Sequence, residues 1–217
     1  MRLPLSQPLT LIALVCLPTS LVSHPHVFVA ASVRVVFDHA GGVAVHLDWQ
    51  YDDFFSLLVT SDLGLDMDGD LVLTAEEQAL LDTEIAAWPP DYAGDLEVMQ
   101  GEAVLPLGEK FDHSMVYQEG VFTERHARPV EGVMADAPLL IRVYDPAFYT
   151  AYDLTGPVTV EGRDDCMVEI IRADLDAAYA LAESLLGGPM DAQGPDDYFP
   201  AIGDAFADTI QITCAGL

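Results

Sequence analysis

The strongest constraint on the fold is a segment near the N-terminus in which apolar residues recur at every second position. In Val27–Phe37, the odd-numbered positions are all valine, alanine or phenylalanine. A period of two places these side chains on one face of a β-strand. The turn-forming residues Asp38–Gly42 follow, and Val43–Gln50 then continues as a second strand. The sequence therefore predicts a β-hairpin at the start of the folded chain.

After this hairpin the apolar spacing changes to one typical of helices. Tyr51–Leu63 has helical spacing, and Thr74 with Glu77 has the form of a capping box that opens a second helix. A Pro-Pro pair ends the second helix near Trp88. We therefore predict a helical insert at about residues 51–88.

The loop between the two predicted helices, Asp66–Glu77, follows the register of an EF-hand calcium loop. Carboxylates occupy positions 1, 3, 5 and 12 of that register. Calcium prefers six to eight oxygen ligands. Those predicted here are the side chains of Asp66, Asp68, Asp70 and Glu77 and the backbone carbonyl of Val72. The alternative is an acidic turn before a well-capped helix, with no ion.

One position of this loop departs from the register. Position 6 is usually glycine because the backbone turns there with a positive φ, and this chain has Leu71. An aliphatic side chain in that conformation costs of order 1–2 kcal/mol, which corresponds to about tenfold in affinity. We therefore expect a weak calcium site, with a Kd of about 10⁻⁴–10⁻³ M.

Short apolar runs, separated by Gly, Pro and Asp, return in residues 95–171, and Asp174–Leu186 has the pattern of a helix. The predicted fold is α+β: an antiparallel β body with an inserted EF-hand-like helix-loop-helix and a helical C-terminal tail. The β-rich domain is expected to span residues 24–172. Residues 173–217 form the helical tail and a closing segment, Ala201–Cys214.

The first residues have the composition of a cleavable signal peptide. Arg2 supplies a positive charge, Leu9–Leu17 is apolar, and Ser23 is a small residue at the predicted cleavage position. The apolar run is shorter than the roughly 20 residues that span a bilayer, and no later segment reaches that length. We therefore expect residues 1–23 to be removed, leaving a periplasmic protein that does not span the membrane and begins at His24.

Acidic residues greatly outnumber basic ones. The chain has 36 Asp and Glu against 8 Lys and Arg, a formal net charge of −28. Such a charge repels nucleic acid and anionic membrane surfaces and attracts cations diffusely. Because 51% of the residues are hydrophobic, we expect a folded core with the acidic residues on its surface, and the charge does not indicate disorder. Nucleic acid is therefore excluded as a partner.

Two cysteines follow the predicted signal peptide, Cys166 and Cys214. An even number in an exported chain favours a disulfide. It would close a loop of about 50 residues, tie the C-terminal tail back to the body, and stabilise the fold by about 3–4 kcal/mol. The alternative is two separate buried thiols.

The residues His24-Pro25-His26 form a second candidate site. After cleavage, the α-amine of His24 and the two imidazoles would offer nitrogen ligands to a divalent transition metal, Zn²⁺ or Ni²⁺. Pro25 has no amide N–H, which excludes sites built from consecutive backbone amides. Asp145, in a turn before Pro146, is the candidate for a third side-chain ligand, and capping of that turn is its alternative role. Alternatively, His24 and His26 belong to a frayed polar N-terminus.

Four segments in this order carry a family resemblance: His24–Val29, Trp49–Ser56, Asp66–Glu77 and Val143–Tyr149. Together they resemble an uncharacterised bacterial periplasmic family, a family of unknown function described as the periplasmic component of an ABC-type transport system. The resemblance covers nearly all of residues 24–171, and Ile202–Cys214 fits the closing segment of the family. It implies a secreted protein associated with nickel, cobalt or zinc transporters. Members of the family usually have glycine at the position of Leu71.

Three functional classes follow from these observations. The first, which we expect, is a non-enzymatic, solute-binding-like accessory protein that presents Ni, Co or Zn to a membrane transporter. The second is a calcium-stabilised interaction module, and the third is a copper enzyme with an N-terminal histidine brace. The sequence contains no Ser-His-Asp arrangement, phosphate-binding loop or nucleophilic cysteine signature, so hydrolase chemistry has no support.

Overall fold

The computed structural model describes residues 24–86, 88–89, 92–134, 137–190 and 199–215, and the predicted signal peptide lies outside them. The strands are β1 Val27–Phe37, β2 Val43–Tyr51, β3 Leu96–Gln100, β4 Ala103–Val104, β5 Phe111–Gln118, β6 Val121–Val130, β7 Leu139–Val143, β8 Thr150–Asp153, β9 Val158–Glu161, β10 Cys166–Ile171 and β11 Thr209–Cys214. The helices are α1 Asp53–Leu63, α2 Ala75–Ala86 and α3 Leu175–Leu186, with a 3-10 turn at Gly203–Phe206. The predicted α+β class is confirmed.

The first sheet contains the predicted hairpin of β1 and β2. Its strand order is β5-β6-β2-β1-β8, and β9 also pairs with β1. β1 runs antiparallel to β2 but parallel to both β8 and β9. The sequence had predicted an antiparallel body. The parallel pairs that β1 forms with β8 and β9 depart from that prediction. Parallel neighbouring strands need a long connection. Between β1 and its parallel neighbours, the chain also forms β3, β4 and β7, which belong to the second sheet.

The second sheet has the order β10-β11-β7-β3-β4, with antiparallel pairs throughout. The closing segment of the chain supplies β11, which lies between β10 and β7, and its Ile210 and Ile212 are fully buried. This segment is thus an inner strand of the sheet. Within the described part of the predicted C-terminal tail, the α-helical residues are those of α3. Cys166 and Cys214 face each other across β10 and β11 and form a disulfide.

The main core lies between the two sheets. Alternate residues of β1 and β2 pack against inward-facing residues of β3, β7 and β11 in one cluster. Trp49 and Leu47 from the first sheet and Ile141 and Ile212 from the second are almost completely buried. The period-two pattern of β1 is therefore explained by one face that packs against the opposite sheet.

Helices α1 and α2 lie between β2 and β3 in the sequence. The Asp52 carboxylate accepts a hydrogen bond from the Phe55 backbone N–H and caps α1, and Gly64 ends that helix in the left-handed conformation. The two helices pack on the β5–β6 hairpin through a small core of Leu65, Leu81, Met115 and Phe122. No helix in the described part of the chain is long and apolar enough to cross a membrane.

Candidate functional site

Two imidazoles lie side by side immediately before and at the entry to β1. His24 is buried, His26 is half-buried, and their ring centroids are 4.9 Å apart. The His26 backbone N–H donates to the Tyr149 carbonyl oxygen at 2.8 Å, and the Tyr149 ring lies 4.7 Å from that of His26. The Phe199 ring lies 4.7 Å from that of His24. A backbone hydrogen bond and aromatic packing therefore hold both rings in place.

Two nitrogens of this histidine pair, Nδ1 of His24 and Nε2 of His26, are buried without a hydrogen-bond partner in the described part of the chain. The backbone of Phe148 accepts a hydrogen bond from the His24 ring. Nδ1 is therefore the ring nitrogen of His24 that is available to a ligand. Burial, followed by repulsion from His26, lowers the pKa of His24 below its usual value. The His24 imidazole is thus neutral and able to bind a metal near pH 7.

The predicted third ligand, Asp145, is engaged in its own turn. Its carboxylate accepts hydrogen bonds from the backbone N–H groups of Ala147, Tyr149 and Thr150 at 2.9, 2.9 and 3.0 Å. This turn positions Tyr149 against the histidine pair. The structure therefore shows Asp145 in the capping role, and it does not bring its carboxylate together with both imidazoles as a ligand group.

The acidic loop brings the carboxylates of its first, third and fifth positions together. Among the His, Cys, Asp and Glu side chains that the structure describes, only Asp66, Asp68 and Asp70 bring three ligand atoms within 4.8 Å of one another. Oε1 of Glu77 accepts a hydrogen bond from the Asp66 backbone N–H, and its Oε2 accepts one from the Thr74 backbone N–H, both at 2.8 Å. Hydrogen bonds from Thr74 hold the pKa of Glu77 below its usual value. Glu77 therefore joins the two ends of the loop.

One backbone angle of this loop agrees with the predicted register. Leu71 lies in the left-handed region with φ 64°, as expected for position 6. Its backbone N–H donates to Oδ1 of Asp66 at 3.1 Å, and the Tyr117 hydroxyl donates to Oδ2 of Asp66 at 3.2 Å. An aliphatic residue therefore occupies a conformation that favours glycine, and the strain expected from the sequence is located at this residue.

A third group of polar side chains lies on the inner face of the first sheet, where the sequence analysis predicted no site. Glu124 and His126 follow Phe122 on the core-facing side of β6 and are only 6% and 1% exposed. Oε1 of Glu124 lies 2.7 Å from Nε2 of His113, and its Oε2 accepts a hydrogen bond from the Tyr51 hydroxyl at 2.7 Å. We call these residues, with Asp95 and Tyr152 beside them, the buried polar cluster.

The interior strongly perturbs the acid–base properties of this cluster. Burial lowers the pKa of His126 to about 4. Burial also raises the pKa of Asp95 to about 6, even though the Tyr152 hydroxyl donates a hydrogen bond to it at 2.6 Å. Burial acts in the same direction on Glu124, but hydrogen bonds from His113 and Tyr51 outweigh it and lower the pKa of Glu124. Perturbed groups collected in one interior region are typical of functional sites.

A signal for this cluster was present in the sequence but required knowledge of the strand. Phe122, Glu124 and His126 share one face of β6, so two ionisable residues occupy core-facing positions. In the sequence, residues 95–171 were recognised only as short apolar runs, with no core-facing side assigned to any of them. Period-two spacing applied to residues 121–130 would have indicated ionisable groups in the core.

Comparison with known proteins places the chain in a family. A family model described as "Protein of unknown function (DUF1007)" matches residues 9–214. The chain therefore belongs to this family, and the resemblance to a family of unknown function is confirmed. No curated protein matches the chain.

Proposed function

We propose that this DUF1007 protein binds a divalent transition metal in the periplasm through its histidine pair and presents the metal to a membrane transporter. The observation that supports metal binding is the pair of buried, unpartnered nitrogens, Nδ1 of His24 and Nε2 of His26. A buried polar atom without a partner costs about 1–3 kcal/mol. A bound metal ion would satisfy both nitrogens at once.

The position of the free nitrogen on His24 fits an N-terminal chelate. If cleavage follows Ser23, the α-amine of His24 becomes a ligand. Together with Nδ1 of the same residue, this amine closes a six-membered ring around a metal, and Nε2 is too far along the imidazole to do so. Nε2 of His26 would supply a third nitrogen. The contact of the His24 ring with the backbone of Phe148 is the kind of outer contact that orients a metal-binding histidine.

The chemistry of these donors limits the choice of metal. Imidazole and amine nitrogens suit Zn²⁺, Ni²⁺ and Cu²⁺ and are poor ligands for calcium or magnesium. We propose Zn²⁺ or Ni²⁺ as the cargo, in agreement with the transporters that the resemblance implies. A net charge of −28 would enrich cations around the protein and keep it away from anionic membranes. Exclusive binding of copper would instead favour the histidine-brace enzyme.

The test is calorimetric titration of the mature protein with Zn²⁺, Ni²⁺ and Cu²⁺. The double variant His24→Ala, His26→Ala should bind one metal ion fewer than the parent protein, and His39→Ala, which removes an exposed histidine, should bind as many as the parent. A protein with one extra residue before His24 keeps both imidazoles but converts the amine into an amide. It should bind at least about tenfold more weakly, since one ligand is lost. An unchanged affinity and an unchanged number of bound ions in the double variant would exclude the histidine pair as a site. If only copper binds, peroxide consumption with a reductant should be measured.

A second candidate function is a calcium-stabilised interaction module. It is supported by the convergence of Asp66, Asp68 and Asp70 and by an apolar stripe on α1. Phe54, Leu57 and Leu58 on this helix are 65, 63 and 45% exposed, at the spacing of one helical face. Calcium in the loop would fix the position of α1 and present this stripe to a protein partner. A melting temperature unchanged by millimolar calcium would remove the support for this function.

A further inference from the structure

The interior of the first sheet contains an imidazole with no partner at either nitrogen. His126 is 1% exposed, and both its Nδ1 and its Nε2 are buried without a hydrogen bond to any residue that the structure describes. The rings of Trp49 and Trp88 lie 4.4 and 4.8 Å from it, edge to face. Natural proteins rarely leave such groups unsatisfied, and each unsatisfied group in a native structure requires an explanation.

A β-bulge brings a second imidazole to the same place. The register between β5 and β6 shifts between Phe111 and Ser114, and Asp112 within this bulge has φ 51°. The bulge turns His113 toward the core-facing side of β6, where its Nε2 meets the Glu124 carboxylate at 2.7 Å. Bulges that redirect a side chain are over-represented beside active sites. A strained bulge and a buried carboxylate–imidazole pair therefore adjoin the unpartnered His126.

We propose that His113, Glu124 and His126 form a second, buried metal site that binds Zn²⁺ or a similar divalent transition metal. Two imidazoles and one carboxylate are the protein ligands of a common class of zinc centre, which keeps its fourth position open for water or another ligand. Metal binding would replace the hydrogen bond between Nε2 of His113 and Glu124 and would give His126 the partner that it lacks. The Nε2 proton would move to Nδ1 of His113, and the Lys110 ammonium, which now lies 2.7 Å from Nδ1, would turn away. This site shares no residue with the histidine pair and does not depend on the function proposed for it.

The distances are compatible with such a site after a small movement. The ring centroids of His113 and His126 are 6.3 Å apart. With a zinc–nitrogen distance of about 2.1 Å and tetrahedral angles, two imidazoles on one ion have centroids roughly 5.3 Å apart, so the two rings would have to approach each other by about 1 Å. The three donors do not yet converge as closely as the carboxylates of the acidic loop. Rotation of the His126 ring toward Glu124 would close the ligand set.

A purely structural role explains only part of the arrangement. In that role, His113 and Tyr51 would satisfy the two oxygens of Glu124, as they do here. It leaves His126 as an unsatisfied polar group in the core, where an apolar side chain of similar size would be more stable. A metal ion accounts for all three residues together.

The position of both tryptophans supplies a specific assay. The chain has 2 Trp, and both rings pack against His126. Cobalt(II), the probe, should therefore quench tryptophan fluorescence and give visible absorption bands when it occupies the site. The protein should carry His24→Ala and His26→Ala, which remove the first site, and should be saturated with calcium, which occupies the acidic loop if it binds an ion. Zinc(II) added in excess should reverse the quenching.

Two variants in that background test the ligands. Glu124→Gln keeps the shape of the side chain, and His126→Gln keeps a polar group; each should raise the cobalt Kd at least about 100-fold. His39→Ala should leave the cobalt Kd unchanged. Thermal melts in EDTA show whether each variant is folded. Absence of stoichiometric cobalt binding in the folded parent, or equal binding in folded Glu124→Gln, would overturn the proposal. Because the parent lacks both N-terminal histidines, the result is independent of the proposed function.

Discussion

Replacement of Asp95 by asparagine should stabilise the protein at neutral pH. Asp95 precedes β3 with φ 46°, and its Oδ2 accepts a hydrogen bond from the Tyr152 hydroxyl at 2.6 Å. Burial raises the pKa of the Asp95 carboxyl from 3.8 to about 6. Asparagine is neutral, can accept the same hydrogen bond through its amide oxygen, and tolerates a positive φ. The Tyr92 hydroxyl, which also hydrogen-bonds Asp95, can accept a hydrogen bond from the amide NH2 instead of donating one. The substitution therefore removes a buried charge and keeps both hydrogen-bond partners.

The magnitude follows from linkage between protonation and folding. The folded protein retains this proton at a pH where the unfolded chain has already released it, so ionisation of Asp95 costs stability. The pKa difference of about two units corresponds to about 3 kcal/mol. The penalty is absent below about pH 4, grows between pH 4 and 6, and is complete above pH 6. We expect Asp95→Asn to raise the free energy of unfolding at pH 7.5 by about 2–3 kcal/mol, and by little at pH 4.

Urea denaturation, followed by tryptophan fluorescence in EDTA between pH 4 and pH 8, measures this difference. Asp153→Asn is the matched control, because Asp153 is exposed and lies next to Tyr152 at the end of β8. The control should change stability by less than about 0.5 kcal/mol at every pH. A gain for Asp95→Asn that does not vary with pH, or a loss at pH 7.5, would refute the electrostatic explanation.

Three further predictions concern the other sites. Calcium should raise the melting temperature, and Glu77→Gln should abolish that rise. Leu71→Gly should tighten calcium binding about tenfold in titration calorimetry, because glycine relieves the strain of the positive φ. If no form responds to calcium, the acidic turn without an ion is supported. Replacement of Cys166 and Cys214 by serine should cost about 3–4 kcal/mol in urea denaturation, since the disulfide closes a loop of 48 residues; an unchanged midpoint would contradict this. Asp145→Ala should lower the melting temperature, because three backbone hydrogen bonds are lost. It should weaken Zn²⁺ binding less than His26→Ala does. If the two variants lose the same affinity for Zn²⁺, Asp145 is a ligand.

Features with a local cause were predictable from the sequence. The β1–β2 hairpin follows from period-two spacing around a turn, and the start of α2 follows from the reciprocal hydrogen bonds of Thr74 and Glu77. The positive φ of Leu71 follows from its position in the register of the acidic loop. In each case the determining residues lie within a few positions of one another.

Features that depend on distant pairing were not predictable in this way. The parallel contacts of β8 and β9 with β1, and the insertion of β11 between β10 and β7, join segments far apart in the chain. The capping role of Asp145 could be stated only as an alternative, because the sequence does not show where the carboxylate points. Prediction of the buried polar cluster would have required knowing which side of β6 faces the core and that the bulge in β5 redirects His113.

The contacts of the β5–β6 hairpin connect the acidic loop with the buried polar cluster. The Tyr117 hydroxyl donates to Asp66 at 3.2 Å, and the side-chain amide of Gln78 on α2 donates to the Met115 carbonyl at 3.0 Å. Both contacts are on β5, the strand that carries His113. The histidine pair is held instead by Tyr149 and Phe199, on other parts of the chain. An ion in the acidic loop would therefore brace the strand that positions His113, while the histidine pair would respond to it only weakly.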